Sequence, residues 1–399
     1  MLELGQVLAA PYAAMILGDL GADVIKIESP AGGDSARFTP PHFYRGESIY
    51  FMSLNRNKKS VAVDLAEPAG RKVFYDLVSR SDVVLDNLRY GVPEKLKINY
   101  EVLRKHNPKI ISCSINGYGS GTPDSSKPSF DLMIQAKGGG MSLTGEPGGA
   151  PLRMGVSVSD HVAGIYAAVG VLAALHAREQ TGKGQKIEVP LFSAMISMLS
   201  YEAAFHLYSG ETPGPVGAGH RSLIPYNAFR TKDGYIVVDA HLRKFWSSLC
   251  RALDRRDLDD DPRFKTLDVR NKNREEVLKI LDKAFSARTS REWLEILEAN
   301  GVPCAPINDL KAALEDETTR ALNMVVDIEH RGVGLTFKAA GNPIRMFEKE
   351  NERYGSPPLL GEHTEEVLKD LLGYDDKKIE RLLKKHVLGS ASGVPGDQP

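Results

Sequence analysis

The sequence predicts an α/β fold in which helices cover a parallel β-sheet. Three features predict it. Short apolar segments of strand length alternate with segments of helix length, polar or glycine-rich residues follow the strands, and the composition is ordinary for a globular protein, with 42% hydrophobic and 26% charged residues. Strands that alternate with helices at this spacing are typical of βαβ units, whose strands run parallel.

Each element follows from its local pattern. The first helix, for example, has Pro11 in its first turn and Gly21 as its stop signal. In chain order we predict a strand end at Met1–Leu4, a helix over 11–20, strands over 22–28 and 60–65, a helix over 68–80, a strand over 83–85, a helix over 100–106, a strand over 109–115, a helix from Asp160 to 178, a strand over 185–190, a helix over 191–207 and a hairpin over 227–240.

The length of 399 residues predicts two domains. Residues 210–219 (G-E-T-P-G-P-V-G-A-G) have the composition of a linker or a mobile loop, and we assign 226–314 to the smaller domain. Residues 389–399 form a polar Gly/Ser/Pro tail that we predict to be disordered.

Charge and cysteine content exclude several classes of protein. With 51 basic and 52 acidic residues the net charge is -1, so no overall field attracts nucleic acid or an anionic membrane. No apolar run reaches the roughly 20 residues of a membrane span. Cys113, Cys250 and Cys304 are isolated, which argues against a disulfide framework or a zinc site and for a reducing compartment. We expect the cytoplasm, with a mitochondrial matrix after processing as the alternative.

The chain starts abruptly, because Met1-Leu2-Glu3-Leu4 already has the pattern of a strand's end. No signal or transit peptide precedes it. We therefore expect either that a few residues are missing before Met1 or that translation begins at an alternative start.

One aspartate has two possible roles. The segment 151–160 (P-L-R-M-G-V-S-V-S-D) leads into a helix rich in alanine and glycine, with Asp160 at the junction. An aspartate there can be an ordinary N-cap that accepts free backbone N–H groups. The same position keeps a carboxylate ionised and exposed at the positive end of the helix dipole, which suits a reactive group.

The predicted strands end in polar dipeptides. In a parallel sheet, ligands bind beyond the carboxyl ends of the strands, where loops are also polar by default. The glycine-rich segment 117–149 matches neither G-x-G-x-x-G after a strand nor a Walker loop, so it does not indicate dinucleotide or NTP chemistry. The dipeptides are Glu28-Ser29, Asp64-Leu65, Asp86-Asn87 and Asn116-Gly117.

Five motifs occur in order from Gly18 to Thr364: G-D-L-G-A-D-V-I-K-I-E, N-R-N-K-K-S-V-A-V-D-L, P-x-R-x-G-x-x-x-x-D ending at Asp160, T-G-K-G-Q and P-L-L-G-E-H-T. Together they resemble the family III coenzyme A transferases, and the succinyl-CoA–dicarboxylate (glutarate) branch in particular. The α-methylacyl-CoA racemases share that family's fold. The resemblance covers nearly the whole chain.

The resemblance implies an interlocked homodimer. Residues 1–200 and 325–388 would form a Rossmann-like large domain from both chain ends, with the smaller α/β domain inserted between them. It implies no prosthetic group: acyl-CoA and a small carboxylate are substrates. Asp160 matches the family's nucleophile, which attacks the donor thioester and passes through a mixed anhydride and an aspartyl-CoA thioester.

The family's CoA contacts also map onto this chain by position. Leu8 stands where the formyl-CoA–oxalate branch has glutamine, and Ser29 and Lys95 stand where it has arginine. Lys58 and Lys59 are further candidates for the CoA phosphates, with a solvated basic pair as the alternative. The matched positions are Leu8, Ala9, Ser29, Val63, Asp64, Leu65, Asn87, Leu88, Lys95, Phe130 and Asp131.

Phe130 separates transfer from racemisation. The racemases place a histidine at this position, and a phenyl ring cannot carry a proton. His161 does not rebuild the acid–base pair, because adjacent residues on a helix point in different directions. An acyl-CoA isomerase remains one alternative. A silent CoA-binding protein, whose shortened first strand weakens a sheet edge, is another.

A dicarboxylate acceptor needs a cationic anchor for its distal carboxylate. The segments Gly217-Ala218-Gly219-His220 and Ile224-Pro225-Tyr226-Asn227 are more similar to the succinyl-CoA–glutarate type than to the glycine run of the formyl-CoA–oxalate branch. Arg37, Arg153 and His220 are the candidate anchors, each with an ordinary structural role as the alternative.

Overall fold

The computed structural model describes residues 1–346 and 354–391. The chain divides into two compact units. Unit 1 comprises Met1–Gly140, Arg153–Tyr208 and Thr318–Pro399, and unit 2 comprises Met141–Leu152 and Ser209–Glu317. Unit 1 is therefore assembled from both ends of the chain.

The strands of both units are numbered together in chain order. They are β1 (Leu2–Glu3), β2 (Val24–Glu28), β3 (Phe43–Tyr44), β4 (Glu47–Ser48), β5 (Lys58–Val63), β6 (Val83–Asp86), β7 (Ile111–Asn116), β8 (Lys186–Pro190), β9 (Tyr226–Arg230), β10 (Tyr235–Asp239), β11 (Cys304–Pro306), β12 (Val325–His330), β13 (Leu335–Ala340) and β14 (Leu388–Gly389).

The helices are numbered in the same way, and short 3₁₀ turns at Ser35–Phe38, Gly140–Leu143 and Arg331–Val333 are left unnumbered. They are α1 (Ala9–Asp19), α2 (Ile49–Leu54), α3 (Pro68–Val78), α4 (Val92–Leu96), α5 (Tyr100–His106), α6 (Asp131–Lys137), α7 (Val158–Thr181), α8 (Leu191–Met198), α9 (Ser200–Ser209), α10 (Arg243–Ala252), α11 (Arg256–Asp260), α12 (Leu267–Lys272), α13 (Arg274–Phe285), α14 (Ser290–Ala299), α15 (Leu310–Glu315), α16 (Glu317–Ala321), α17 (Thr364–Leu372) and α18 (Asp376–Lys384).

The central feature of unit 1 is a seven-stranded sheet in the order β14-β5-β2-β1-β6-β7-β8. All its strands are parallel except β14, which pairs antiparallel with β5 at one edge. The strands β2 and β6 are buried along their whole length, as in sheets covered on both faces. From β1 the chain continues to β2 on one side of β1, and it later returns to the other side as β6. The order of the connections therefore reverses between β1 and β6.

The first strand is short but central. Leu2 pairs with Ile25 of β2 on one side and with Val84 of β6 on the other. The expectation that it lies at a sheet edge is therefore wrong. Burial explains its place, because the side chain of Leu2 is fully enclosed in the core.

Helix α7 has 24 residues and packs along α1, β7 and β8. Alanine supplies much of the buried side, at Ala163, Ala167, Ala168 and Ala174, and allows close approach to the sheet. By length and composition alone this helix is apolar enough to cross a membrane, although the sequence shows no uninterrupted apolar run of that length. A core helix passes the same test, and 44% of its most apolar window is buried inside the protein.

Unit 2 contains a three-stranded sheet in the order β11-β10-β9. The hairpin predicted over 227–240 is present as β9 and β10, which pair antiparallel. Its core is aromatic, with Phe229, Trp246 and Phe285 each enclosed.

Two other predictions need correction. The single helix predicted over 191–207 is two helices, α8 and α9, because the backbone breaks at Leu199–Ser200, where Ser200, the first residue of α9, takes a left-handed φ of 43°. The prediction of disorder is wrong at Gly389, which pairs with Ala62 as part of β14. The rest of that prediction, residues 392–399, lies outside the described residues.

Candidate active site

Asp160 lies inside the first turn of α7. The N-cap of this helix is Ser157, and the helix begins at Val158, so the N-cap interpretation of Asp160 is wrong. The carboxylate is also less exposed than predicted. Burial, followed by the charge of Asp131, raises the pKa of Asp160 from 3.8 to about 7. These two effects outweigh the helix dipole, which favours the ionised form.

The capping role belongs to Asp131, the first residue of α6. Its Oδ1 accepts hydrogen bonds from the backbone N–H of Ser159 at 3.0 Å and from the Ser159 hydroxyl at 2.6 Å. Ser159 is the second residue of α7, so its N–H has no partner within the helix. A carboxylate 28 residues upstream thus caps the helix that carries Asp160.

Gln135 completes this arrangement on α6. Its amide donates to Oδ2 of Asp131 at 2.8 Å, and its side-chain oxygen accepts the backbone N–H of Met154 at 2.9 Å. The side chain is fully buried. Asp131 and the segment leading into α7 are therefore held by one amide group.

The N-terminal part of α1 packs tightly on α7. A Cβ atom on Gly164 would lie 2.8 Å from the carbonyl oxygen of Ala9 and 3.1 Å from Cδ1 of Tyr12. Only a glycine permits this approach. One turn earlier, the ring of His161 stacks edge-on against Tyr12 with centroids 4.9 Å apart, and its Nδ1 bonds to the Ser157 carbonyl. His161 is thus used in the packing of the two helices.

The loops after β1, β2, β5 and β6 meet at the carboxyl edge of the sheet. Asn87 joins two of them across the reversal point: its Oδ1 accepts from the N–H of Gln6, and its Nδ2 donates to the Gln6 carbonyl, both at 2.8 Å. Ligands in open α/β sheets bind at such a reversal of strand order. The strand order therefore predicts a ligand-binding crevice beside Asn87.

The three cysteines are free and are poor nucleophiles. Burial raises the pKa of both Cys113 and Cys250 to about 12, and it also raises the pKa of Cys304. A thiol needs its thiolate form to react. Asp160 therefore remains the candidate nucleophile. Among the described residues, no cluster of three or more His, Cys, Asp or Glu side chains could hold a metal ion.

Comparison with known proteins identifies the family of the chain. Residues 1–364 match the family model described as CoA-transferase family III. The chain belongs to CoA-transferase family III. It is an enzyme that transfers CoA between carboxylic acids, and acyl-CoA is its substrate.

Relatives of this family are similar over almost their whole length. The chain is 39% identical to the succinyl-CoA:glutarate CoA-transferase of Homo sapiens, over 97% of this chain and 88% of the relative. It is 38% identical to the succinyl-CoA:mesaconate CoA-transferase of Haloarcula hispanica, over 92% and 94%. A crystal structure of a CAIB/BAIF family protein from Brucella suis superimposes with a TM-score of 0.82 at 34% identity, covering 93% of this chain and 97% of that one.

The structure distributes the predicted CoA residues of this family III enzyme along the carboxyl edge, and their CoA contacts stay predictions. Leu8, Ala9 and Val63 are buried. Ser29 and Lys95 are exposed. Asp64, Leu65, Asn87 and Leu88 are partly buried at strand ends, Phe130 is exposed directly before α6, and the Asp131 carboxylate is engaged by Ser159 and Gln135.

Two predicted cationic contacts are wrong. Lys58 is fully buried and donates to Glu3, Asn55 and the Pro11 carbonyl, so it does not reach a CoA phosphate. Arg37 is buried and donates through two nitrogens to Glu28, at 2.9 and 2.8 Å. Its guanidinium is therefore not available as the acceptor anchor.

The other candidate cations differ in their surroundings. Lys59 is partly exposed and pairs with Glu366 at 3.0 Å. In unit 2, the His220 Nδ1 accepts backbone N–H groups from Ser222 and Leu223. Arg153 is half exposed, and its guanidinium lies 3.9 Å from Oδ2 of Asp131.

Sequence reasoning missed Tyr50, which lies on α2. Burial, followed by the charges of Asp160, Asp34 and Asp131, raises the pKa of Tyr50 to about 12. Its hydroxyl therefore stays protonated at neutral pH. Nothing in the surrounding I-Y-F-M-S-L segment distinguishes this tyrosine from a packing residue.

Proposed function

We propose that this enzyme moves CoA from succinyl-CoA to a dicarboxylate acceptor such as glutarate, through a covalent intermediate on Asp160. The observation that carries the proposal is the placement of Asp160 on a capped helix, with a pKa raised to about 7. The named activities of the human and Haloarcula relatives support the choice of substrates.

The first half of the reaction removes CoA from the donor. The ionised Asp160 attacks the thioester carbonyl carbon of succinyl-CoA, the C–S bond breaks, and CoA leaves as its thiolate. The product is a mixed anhydride between Asp160 and succinate. The thiolate then attacks the Asp160 acyl carbon and releases succinate, which leaves an aspartyl-CoA thioester.

The second half repeats these steps with the acceptor. Its carboxylate attacks the aspartyl-CoA thioester, forming a new mixed anhydride and releasing the thiolate again. The thiolate attacks the acceptor's acyl carbon, which yields the product thioester and regenerates Asp160. No net proton is consumed and no acyl group is lost to water, so the free energy of the thioester is retained.

CoA is proposed to lie across the carboxyl edge of the sheet. Asn87, after β6, bonds to Gln6, two residues before Leu8 in the loop after β1, and this supports a crevice between the two loops. Ser29 and Asp64 follow the neighbouring strands β2 and β5 on that edge. Lys95 is exposed near the loop after β6 and would meet a phosphate as a point charge.

Arg153 is proposed as the anchor for the acceptor's distal carboxylate. It lies seven residues before Asp160, on the segment held by Gln135, and its ion-pair distance to Asp131 is long at 3.9 Å. Its guanidinium therefore keeps donors for a planar carboxylate. We expect Arg153→Gln to raise the KM for glutarate about tenfold, the size of one lost charge-assisted contact, with the KM for succinyl-CoA changed less.

The control for this variant is Arg178→Gln, at the far end of α7, where Arg178 pairs with Asp82 at 2.8 Å. It removes the same charge from a position about 18 residues beyond Asp160 on α7, whereas Arg153 precedes that helix. Equal glutarate KM values for the two variants would rule Arg153 out as the anchor.

The enzyme is proposed to work as an interlocked homodimer. Ile165, Val169 and Leu172 follow each other at helical spacing on α7 and are 45–57% exposed. Leu207 and Tyr208 on α9 are 83% and 96% exposed. Apolar surface of this kind is typical of an interface. Light scattering should give the mass of a dimer, and Val169→Glu should shift it toward the monomer.

The cytoplasm is the proposed compartment, with a mitochondrial matrix as the alternative. Three free cysteines, two of them buried, fit a reducing environment.

The test is direct trapping of the intermediate. The protein is incubated with succinyl-CoA, treated with hydroxylamine, and mapped by peptide mass spectrometry. We expect a hydroxamate on Asp160, absent in Asp160→Ala. If several acyl-CoA donors leave Asp160 unmodified, the proposal fails. Deuterium uptake at the α-carbon would then support an isomerase, and CoA binding without exchange would support a silent binder.

A further inference from the structure

The loop between β1 and α1 is held by side chains from other parts of unit 1. Lys26 on β2 donates to the carbonyl of Gly5 at 2.8 Å. Asp34 accepts the N–H of Val7 at 2.9 Å. Together with the two bonds from Asn87 to Gln6, these contacts fix four backbone groups in three consecutive residues. Such a loop has almost no freedom to shift.

Val7 has a backbone conformation that its side chain disfavours. Its φ is 64°, in the left-handed region, where a β-branched residue is a true outlier. A strained residue persists only where its surroundings enforce it, and such residues concentrate at functional sites. The N–H of this strained residue donates to Asp34.

Asp34 is in turn part of a buried network of charges. Its Oδ2 pairs with Lys26 at 3.0 Å, and Lys26 and Lys58 both pair with Glu3, at 3.0 and 3.1 Å. All four side chains are fully enclosed. Lys58 also donates to the Pro11 carbonyl in the first turn of α1.

Burying these charged groups costs free energy, because they lose their contacts with water. Burial lowers the pKa of Lys58 to about 8 although Glu3 lies beside it. Burial also opposes the charge of Lys26, but Glu3 and Asp34 together raise the pKa of that lysine. Replacing a buried network of ion pairs by apolar side chains often leaves a protein just as stable. What the network adds is fixed polar contacts to the Gly5–Pro11 backbone.

The loop leads directly to the nucleophile's helix. The carbonyl of Ala9 faces Gly164 of α7 at a distance that excludes a Cβ atom, and Tyr12 stacks on His161. Movement of the loop would therefore move the first turn of α1 against the first turns of α7.

We propose that Asp34 is a positioning residue that holds Val7 in its left-handed conformation and so fixes the β1–α1 loop as one wall of the acyl-CoA site. The inference rests on the proposed function, because Leu8 and Ala9, which follow Val7, are predicted CoA contacts. Asp34 acts through the loop and does not touch the substrate.

The test is a double-mutant cycle between Asp34 and Val7. Glycine adopts positive φ without strain, so Val7→Gly should make the loop independent of Asp34. We expect Asp34→Ala to raise the KM for succinyl-CoA about tenfold, within the range that backbone strain of this kind can store, with kcat changed less than threefold. In the Val7→Gly background the same substitution should raise KM less than threefold, while its loss of thermal stability persists.

Asp19→Ala is the matched control. Asp19 is also buried and pairs with Arg56 at 2.7 Å, and its side chain also accepts from Asn57. Asp19→Ala should lower the melting temperature in both backgrounds. Any effect of this substitution on the KM for succinyl-CoA should be the same in the wild-type and the Val7→Gly backgrounds. Asp34→Asn provides a milder variant, because its amide oxygen can still accept from Val7, and it should raise KM less than Asp34→Ala.

Equal KM increases in both backgrounds, or no increase at all, would overturn the inference. Should Asp34→Ala fail to fold, the cycle is run with Asp34→Asn. The dissociation constant for CoA is measured by calorimetry on the same proteins. A wild-type protein that binds CoA but transfers nothing refutes the proposed function and still tests the role of Asp34 through that constant.

Discussion

Replacing Asp160, the proposed nucleophile, should stabilise the protein, and more at neutral and alkaline pH than at acidic pH. Raising the pKa of Asp160 from 3.8 to about 7 means that the folded state holds the proton more tightly than the unfolded state does. Stability therefore falls as pH rises through this interval and is lowest above pH 7. The difference corresponds to about 4 kcal/mol, which partial solvent exposure of the carboxylate reduces to roughly 2 kcal/mol.

Asp160→Asn removes this penalty while keeping the shape of the side chain. At pH 8 we expect the variant to be more stable than the wild type by about 2 kcal/mol, or a few degrees in melting temperature. At pH 5.5 the gain should fall to about half, because much of the wild-type carboxyl is then already protonated in the folded state. Differential scanning fluorimetry at several pH values measures both, with transferase activity absent throughout.

The control is Asp370→Asn, which removes an exposed carboxylate from α17. It should show no such gain at pH 8. If Asp160→Asn changes the melting temperature equally at both pH values, or lowers it at pH 8, then burial does not raise the pKa of Asp160 and the reasoning is refuted.

Three further predictions concern the same region. The kcat/KM for succinyl-CoA should rise about tenfold per pH unit below pH 7 and level off above it. Asp131→Asn should move the midpoint of this profile to lower pH, because the substitution removes the charge beside Asp160. A midpoint that does not move would contradict this reasoning. Gly164→Ala should lower the free energy of unfolding by about 1–3 kcal/mol, because the added Cβ forces α1 away from α7. Gly170→Ala should lower it less, since its Cβ would meet only the side chain of Ile187. Calorimetry of the two variants measures the difference. His161→Phe should keep kcat within about threefold, since the ring packs on Tyr12; a thousandfold loss would instead indicate proton transfer, whose catalytic contribution is of order 10²–10⁴.

Local patterns predicted much of the sheet and the helices around it. Strands such as Val83–Asp86 are continuous apolar runs, and the helix Tyr100–His106 has the bounds that its sequence predicts. The order of the strands in the sheet could not be predicted from local patterns. The central place of Leu2–Glu3 depends on pairing with β2 and β6, which no local pattern contains.

The site was predictable in one respect and not in others. Asp160 was singled out by its place before an apolar helix and by the family motif. Which cation is free could not be predicted, because Lys58 and Arg37 differ from exposed basic residues only in what folds over them. The strain at Val7 was equally invisible, since an ordinary valine carries no signal for positive φ.

Of the two roles that the sequence leaves open for Asp160, the structure excludes the N-cap of α7. A capping carboxylate gives its lone pairs to backbone N–H groups, which lowers its pKa and its basicity. Here Asp131 takes those bonds, and among the described residues no hydrogen bond engages the Asp160 carboxylate. Asp160 can then be buried enough to reach a pKa of about 7, close to the ~8.5 of an ordinary thiol. In the proposed mechanism, a carboxylate whose basicity approaches that of the leaving thiolate makes exchange between anhydride and thioester less uphill. A cap supplied by Asp131 therefore suits Asp160 to the proposed role of nucleophile.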